Sequence, residues 1–523
     1  MQTLRDRAAF SALLLGAAAC NTSQYWTVNE RLWSPQTVSA ADGTYVRLPF
    51  AGGLIRVRDN GNVAVVDLDG AEPTRLVLTP DGEQVLVFAR WPQCKDDDPK
   101  ITREGDCDSE DLVYRTELAL VEGGDRQGAP IEIPPHLNTV SFSEDGAIAV
   151  AYLDYVSGQE ISIDGVADLG EVRFLNLDTE EQGSVSVGFS PERVLFSQDN
   201  TSAVVMSRSK IIVVNLTDFE VVLEAPLTLD PDEQVDPSGA ALTPDGGTLL
   251  VTVRGSSDLY MLDLDTVFWN LGVLDAEPST LAVDPQNNRS VFVFSGSSEV
   301  NVLDNDGLSA FSQELIESIP LDEPSNQIRV QDGQAILYNN SSGDYHDVYR
   351  LDLDNLELTE YVLENPVSEL QLTPSGRYAV AIVRPEGGNR STLDGYQDAR
   401  WGLGVLNLDG DEAVSLVTET QPLGVAVIED GETSSALVLL ADREYLLYLD
   451  LSNPSVKTEV PLPAAPVSLD TLADGRFLIT HDASLGLISY LDPTDLSLTS
   501  IDGFATVGLL RDDLLPRRDE GEQ

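Results

Sequence analysis

Apolar and β-branched residues run in short stretches along the whole chain, each bounded by Asp, Gly, Asn or Pro, and sustained helical periodicity is absent. The pattern predicts an all-β protein. The unit around Gly246 shows the plan: an apolar run at 249–252, a second at 258–265 reading Asp-Leu-Tyr-Met-Leu-Asp-Leu-Asp, and a third at 271–274. One word punctuates these runs. Thr79-Pro80-Asp81-Gly82 returns as Thr243-Pro244-Asp245-Gly246 and Thr373-Pro374-Ser375-Gly376, each time ending one apolar run and opening another. Weaker copies put further turn markers at Gly146, Asn200, Asn287, Gly333, Gly431 and Gly475. Spacings of 41 to 64 residues between successive markers match the period of a four-stranded blade.

A second signature closes the third strand of a unit. Val65-Val66-Asp67, Val213-Val214-Asn215, Leu262-Asp263, Leu351-Asp352, Leu406-Asn407 and Leu449-Asp450 all end an apolar strand on Asp or Asn. An Asx side chain at that place accepts from the amides of the turn leaving the strand, so these carboxylates are read as turn caps. Asp304-Asn305-Asp306-Gly307 opens like a calcium loop, but the later ligands and the Glu at position twelve do not follow.

Strand, Pro-Asp-Gly turn, strand, and a third strand ending on a Leu-Asp-Leu-Asp word together resemble the YVTN/lactonase-like β-propellers, over roughly residues 45–510. The resemblance implies a single closed β-propeller of about eight four-stranded blades, with seven to nine within reach, in which an amino-terminal strand completes the last blade. Two smaller propellers are the alternative. A small exported substrate and hydrolase or lactonase activity are implied only through that resemblance, which supplies no catalytic residue.

Charge narrows the partners. Against 31 Lys and Arg stand 88 Asp and Glu, a net charge of −57, which excludes a body that grips nucleic acid and disfavours an anionic lipid surface. Three His and three Cys exclude multi-His metal centres and zinc ribbons. At the amino terminus Arg5 and Arg7 precede the apolar run 8–19, and Cys20 follows small residues, as in a bacterial lipoprotein signal peptide. The expected layout is signal peptide 1–19, lipid-attached tether 20–43 starting at Cys20, propeller 44–510 and charged tail 511–523. The expected place is the extracytoplasmic cell envelope, on the outer membrane or cell surface. The membrane is then contacted through the lipid alone.

In this parse the three longest insertions, at 91–111, 154–170 and 384–400, all join the second and third strands of a blade, so they share an address. Loops elaborated on one face of a rigid scaffold carry recognition, and Trp91, Arg103, Tyr155, Arg384, Arg390, Tyr396, Arg400 and Trp401 supply forks and aromatic surface there. Cys94 and Cys107 flank an acidic loop and are expected to form a disulfide, contributing about 3 kcal/mol. Asp96, Asp97, Asp98, Asp106 and Asp108 form a weak calcium candidate. His136, His346 and His481 are read as bystanders, and no nucleophile elbow, Walker loop or haem motif appears. The expectation is a monomeric binding or assembly module for a protein or small ligand of the envelope, with no cofactor.

Overall fold

The computed structural model describes residues 36–48, 53–58, 63–94, 112–154, 166–188, 191–208, 210–227, 236–386, 392–431, 433–472, 475–481 and 487–502. Their strands form ten four-stranded antiparallel sheets, and within each sheet the strands are paired in chain order. These are the blades of a β-propeller. They span 36–66, 72–133, 139–186, 191–226, 237–273, 280–320, 327–362, 367–417, 422–461 and 466–502, numbered here as blades 1 to 10 with strands A to D.

Burial explains why the sequence reads as short unbroken apolar runs. Blades within a unit pack face to face, so a B strand such as Thr248–Val253 is buried along its middle, and Thr433–Leu440 is buried at all but its first position. The D strands turn their outer residues to solvent, as in Val221–Pro226 and Phe268–Val273. The chain divides into two compact units, and each holds its own run of blades. One, comprising 139–160 and 167–461, contains blades 3 to 9, and each consecutive pair shares an apolar cluster. Phe174 of blade 3 stacks on Phe219 of blade 4 in such a cluster, with ring centroids 5.8 Å apart. The other, comprising 1–138, 161–166 and 462–523, contains blades 10, 1 and 2. Here Val46, Ile55 and Val57 pack on Leu472, Leu478 and Tyr490, and Tyr45 and Leu54 pack with Val85 and Val87.

Three expectations change. Among the described residues the blades number ten, not about eight, because all nine markers are genuine A–B turns and blade 1 precedes the first of them. No amino-terminal strand completes the last blade: blade 10 draws all four strands from 466–502, while Gln36–Ala40 belongs to blade 1. The propeller therefore starts inside the 20–43 segment read as a tether. The word at Val65-Val66-Asp67 also ends a D strand, whereas the other five end C strands.

Both turn signatures have the chemistry their residue types require. In the A–B turn of blade 5, Thr243 Oγ1 donates to Asp245 Oδ1 at 2.6 Å and accepts from the Thr248 N–H at 3.0 Å, and Asp245 accepts from the Gly247 N–H at 3.0 Å. Gly246 sits at φ 70°, where a Cβ would be strained. Ser143 and Asp145, and Ser197 and Asp199, repeat the arrangement. At the C–D turns, Asn215, Asp263, Asp352, Asn407 and Asp450 accept from main-chain amides of the exit turn at 2.7 to 3.2 Å. Asp304 caps in the same way, and Asp306 accepts from Asn288, so the 304–307 loop is built as a turn.

Candidate binding face on the B–C connections

Successive antiparallel strands put the B–C and D–A connections at one end of a blade and the A–B and C–D turns at the other. All three insertions are B–C connections, in blades 2, 3 and 8, as the sequence parse requires. Of the singled-out residues, Arg103, Tyr155 and Arg390, the acidic residues Asp96, Asp97, Asp98, Asp106 and Asp108, and Cys20 lie outside the described residues. Cys94 is buried at the end of strand Val85–Cys94, next to the undescribed segment that holds Cys107. Among the described residues, no group of three His, Cys, Asp or Glu is placed to hold a metal ion.

Trp91 is not a loop residue. It lies in Val85–Cys94, which extends beyond the blade as a hairpin with Leu112–Glu122; its Nε1 donates to Glu117 Oε2 at 3.0 Å, and its ring packs against the core of blades 1 and 2. Arg384, Tyr396, Arg400 and Trp401 all lie on the B–C connection of blade 8, where Arg400 and Tyr396 are in contact. Val383 pairs with Gly402 across strands B and C, so Arg384 and Trp401 leave the sheet side by side, about 5 Å apart in the backbone. Trp401 packs into the apolar cluster of blades 8 and 9. Between them lies a short helix, Leu393–Asp398, capped by Thr392 Oγ1 accepting from the Gly395 N–H at 3.1 Å. It presents Tyr396, 42% exposed, with the Arg400 guanidinium 4.2 Å from its ring centroid.

The same connection is tied to that of blade 7. Arg384 donates to the carbonyls of Asn340, at 3.4 Å, and Gly343. His346 lies between two acceptors, the Leu363 carbonyl 3.1 Å from Nδ1 and Glu386 Oε1 2.8 Å from Nε2. Glu323, on the D–A connection before blade 7, accepts from the N–H groups of His346 and Asp347 at 2.6 and 3.1 Å. Burial opposes charge on the imidazole, but the Leu363 carbonyl, Glu386 and Glu323 outweigh it and hold His346 above its ordinary value. Burial, with Glu323 and Asp322 nearby, pushes the Asp347 carboxyl up, and Glu360 rises for the same first reason and through Asp347. His346 is thus a structural tie, which the bystander reading missed because Glu386 lies forty residues away on another blade. His481 is buried, with Nδ1 on the Ala464 carbonyl at 3.0 Å and Nε2 on Ser489 Oγ at 2.8 Å; His136 is fully buried.

No family model matches the chain, and no curated protein matches it in sequence. Among solved structures it is similar to a dihydro-heme d1 dehydrogenase, NirN in complex with DHE, at 14% identity over 67% of this chain and 72% of that one, TM-score 0.40. Hydrazine synthase of Kuenenia stuttgartiensis aligns at 14% identity over 66% of this chain and 99% of that one, TM-score 0.33. A eukaryotic initiation factor aligns at 9% identity over 82% and 96%, TM-score 0.47. With every TM-score below 0.5, no argument rests on these likenesses. The propeller is assigned from the strand pairing itself.

Proposed function

We propose that this protein is a binding or assembly module of the bacterial cell envelope, exported by the 1–19 segment, held at the membrane by lipid on Cys20, and recognising its partner through the B–C connections of blades 7 and 8. The carrying observation is the Tyr396–Arg400 pair, an exposed ring under a guanidinium on a connection braced from below by Arg384 and the His346–Glu386 tie. Aromatic and arginine anchors on a rigid support are what interface hot spots are made of. His346 has both ring nitrogens engaged in bracing, which favours binding over hydrolysis as the work of this face. The Cys94–Cys107 disulfide is part of the same proposal, since an exported chain meets oxidising conditions.

The test is affinity capture from detergent-solubilised native membranes, with mass spectrometry of what co-purifies. Wild-type protein should enrich a defined partner that Tyr396→Ala and Arg400→Ala fail to retain while keeping the wild-type thermal transition. Equal recovery by the variants places recognition elsewhere.

A further inference from the structure

The D strand of a blade is an edge, and charged side chains on an edge strand oppose its pairing with another chain. Blades 4, 6, 7, 8 and 9 follow that rule, with Glu224, Glu317, Glu360, Glu412, and Lys457 together with Glu459 in their D strands. Blade 5 does not. Its D strand, Phe268–Val273, reads Phe-Trp-Asn-Leu-Gly-Val and has no charge, and Phe268, Leu271 and Val273 are 60%, 54% and 51% exposed.

One residue of this edge shows how it pairs. Gln313, on the C–D connection of blade 6, accepts from the Val273 N–H through Oε1 at 3.1 Å and donates through Nε2 to the Val273 carbonyl. These are the two bonds that a residue of an added strand would make, supplied here by a side-chain amide. Main-chain direction alternates along a strand, so the N–H and C=O of Leu271 and Trp269 point the same way as those of Val273. The other parity points inward, as the Leu274 N–H donating to the Ser257 carbonyl at 2.9 Å shows. Among the described residues, nothing bonds to the main chain of Leu271 or Trp269.

Blade 6 covers only part of the strand. A Cβ on Gly272 would meet Phe311 Cζ at 3.1 Å, and the Leu308 carbonyl accepts from Asn270 Nδ2 at 3.1 Å. Leu271 stands on the opposite face with Trp269, which packs into the cluster of blades 4 and 5. The surrounding charge has one sign. Between Arg254 and Arg329 the sequence has a single lysine or arginine, Arg289, whereas exposed Asp265 precedes the strand and exposed Asp275, Glu277 and Glu314 lie toward its far end.

We propose that the D strand of blade 5 takes an extended segment of a partner protein as a fifth strand, apolar where it meets Trp269 and Leu271 and carrying lysine or arginine at its ends. Main-chain bonds supply the affinity, and side chains beside Leu271 and Phe268 supply the choice of sequence. A second copy of this chain is the poorer occupant, because two bodies of net charge −57 repel. This edge is a surface distinct from the B–C connections and does not depend on their role.

The test is fluorescence anisotropy of a labelled peptide of alternating valine and threonine, with two lysines at each end, titrated with the full chain. Leu271→Pro removes one outward N–H and no bond of the sheet. The peptide should bind wild type saturably and bind Leu271→Pro about tenfold or more weakly, while the thermal transition stays as in wild type. The same peptide N-methylated throughout its middle should not bind wild type. Absence of saturable binding, undiminished binding to Leu271→Pro, or binding of the N-methylated peptide equal to that of the parent overturns strand addition. Equal binding of a peptide with glutamates in place of the lysines overturns the charge requirement. A concentration-dependent dimer in sedimentation that Leu271→Pro abolishes assigns the edge to a second copy and overturns the partner.

Discussion

His346 Nε2 lies 2.8 Å from Glu386 Oε1 while its Nδ1 lies 3.1 Å from the Leu363 carbonyl, so both ring nitrogens face acceptors. Only the imidazolium can donate to both. The raised value of His346 makes its contribution to stability full below the ordinary histidine value of 6.5 and lost as pH rises through the folded-state value. His346→Gln should accordingly lower the stability of the blade 3–9 unit by about 1–2 kcal/mol in mildly acidic buffer. The penalty should shrink in alkaline buffer. Denaturant titrations across that range check the trend, and a penalty that grows with pH would contradict it.

His481 should behave in the opposite sense. Burial holds it below 6.5, against the bonds it makes to the Ala465 and Ala464 carbonyls, so the folded state excludes a proton that the unfolded chain takes up. Its contribution is present above 6.5 and lost as pH falls below it. His481→Gln should remove part of the acid sensitivity of the blade 10–1–2 unit, read as a flatter dependence of its calorimetric transition on pH between neutral and mildly acidic buffer.

Arg56, 2% exposed, donates through Nη1 to Asp42 Oδ2 at 2.8 Å, and Tyr45 OH donates to the same oxygen at 2.8 Å while accepting from the Gly124 N–H at 3.1 Å. The group fastens the first turn of blade 1 to the C–D turn of blade 2. Removing the cation leaves a carboxylate without its compensation. Arg56→Ala should cost on the order of 3 kcal/mol, measured by denaturant unfolding. Gly124→Ala should also destabilise, since its Cβ would meet the Arg56 guanidinium at 3.1 Å with φ at 87°.

Thr243→Val keeps the shape of the A–B turn of blade 5 but leaves the Thr248 N–H without the hydroxyl that accepts from it and removes the bond to Asp245. Thr243 is buried, so the loss should be about 1–2 kcal/mol. The same change at exposed Thr266 should have little effect. Equal effects at the two sites would show that the hydroxyl of the turn word is incidental.

These turn words were the most legible feature of the chain, because a hydroxyl residue, an Asx and a left-handed Gly or Asn are required together by local geometry. Blade 1 is not legible as a blade of its own, for the complementary reason. Its turn holds Asp42-Gly43 after two alanines, its Asp is directed at Arg56 and Tyr45, and its first strand, Gln-Thr-Val-Ser-Ala, is too polar to stand out from a tether. The B–C address of the insertions followed from the strand parse alone. The His346–Glu386 tie did not, since it depends on residues forty positions apart that only the packing of blade 7 beside blade 8 brings together.

The most direct measurement for the central claim is hydrogen–deuterium exchange of the protein with and without its captured partner. The account predicts slowed exchange in 339–346 and 392–401, with the A–B turns around Thr243 and Thr373 unchanged. Protection confined to those turns, with both B–C connections exchanging as in the protein alone, would place recognition on the opposite end of the blades and contradict it.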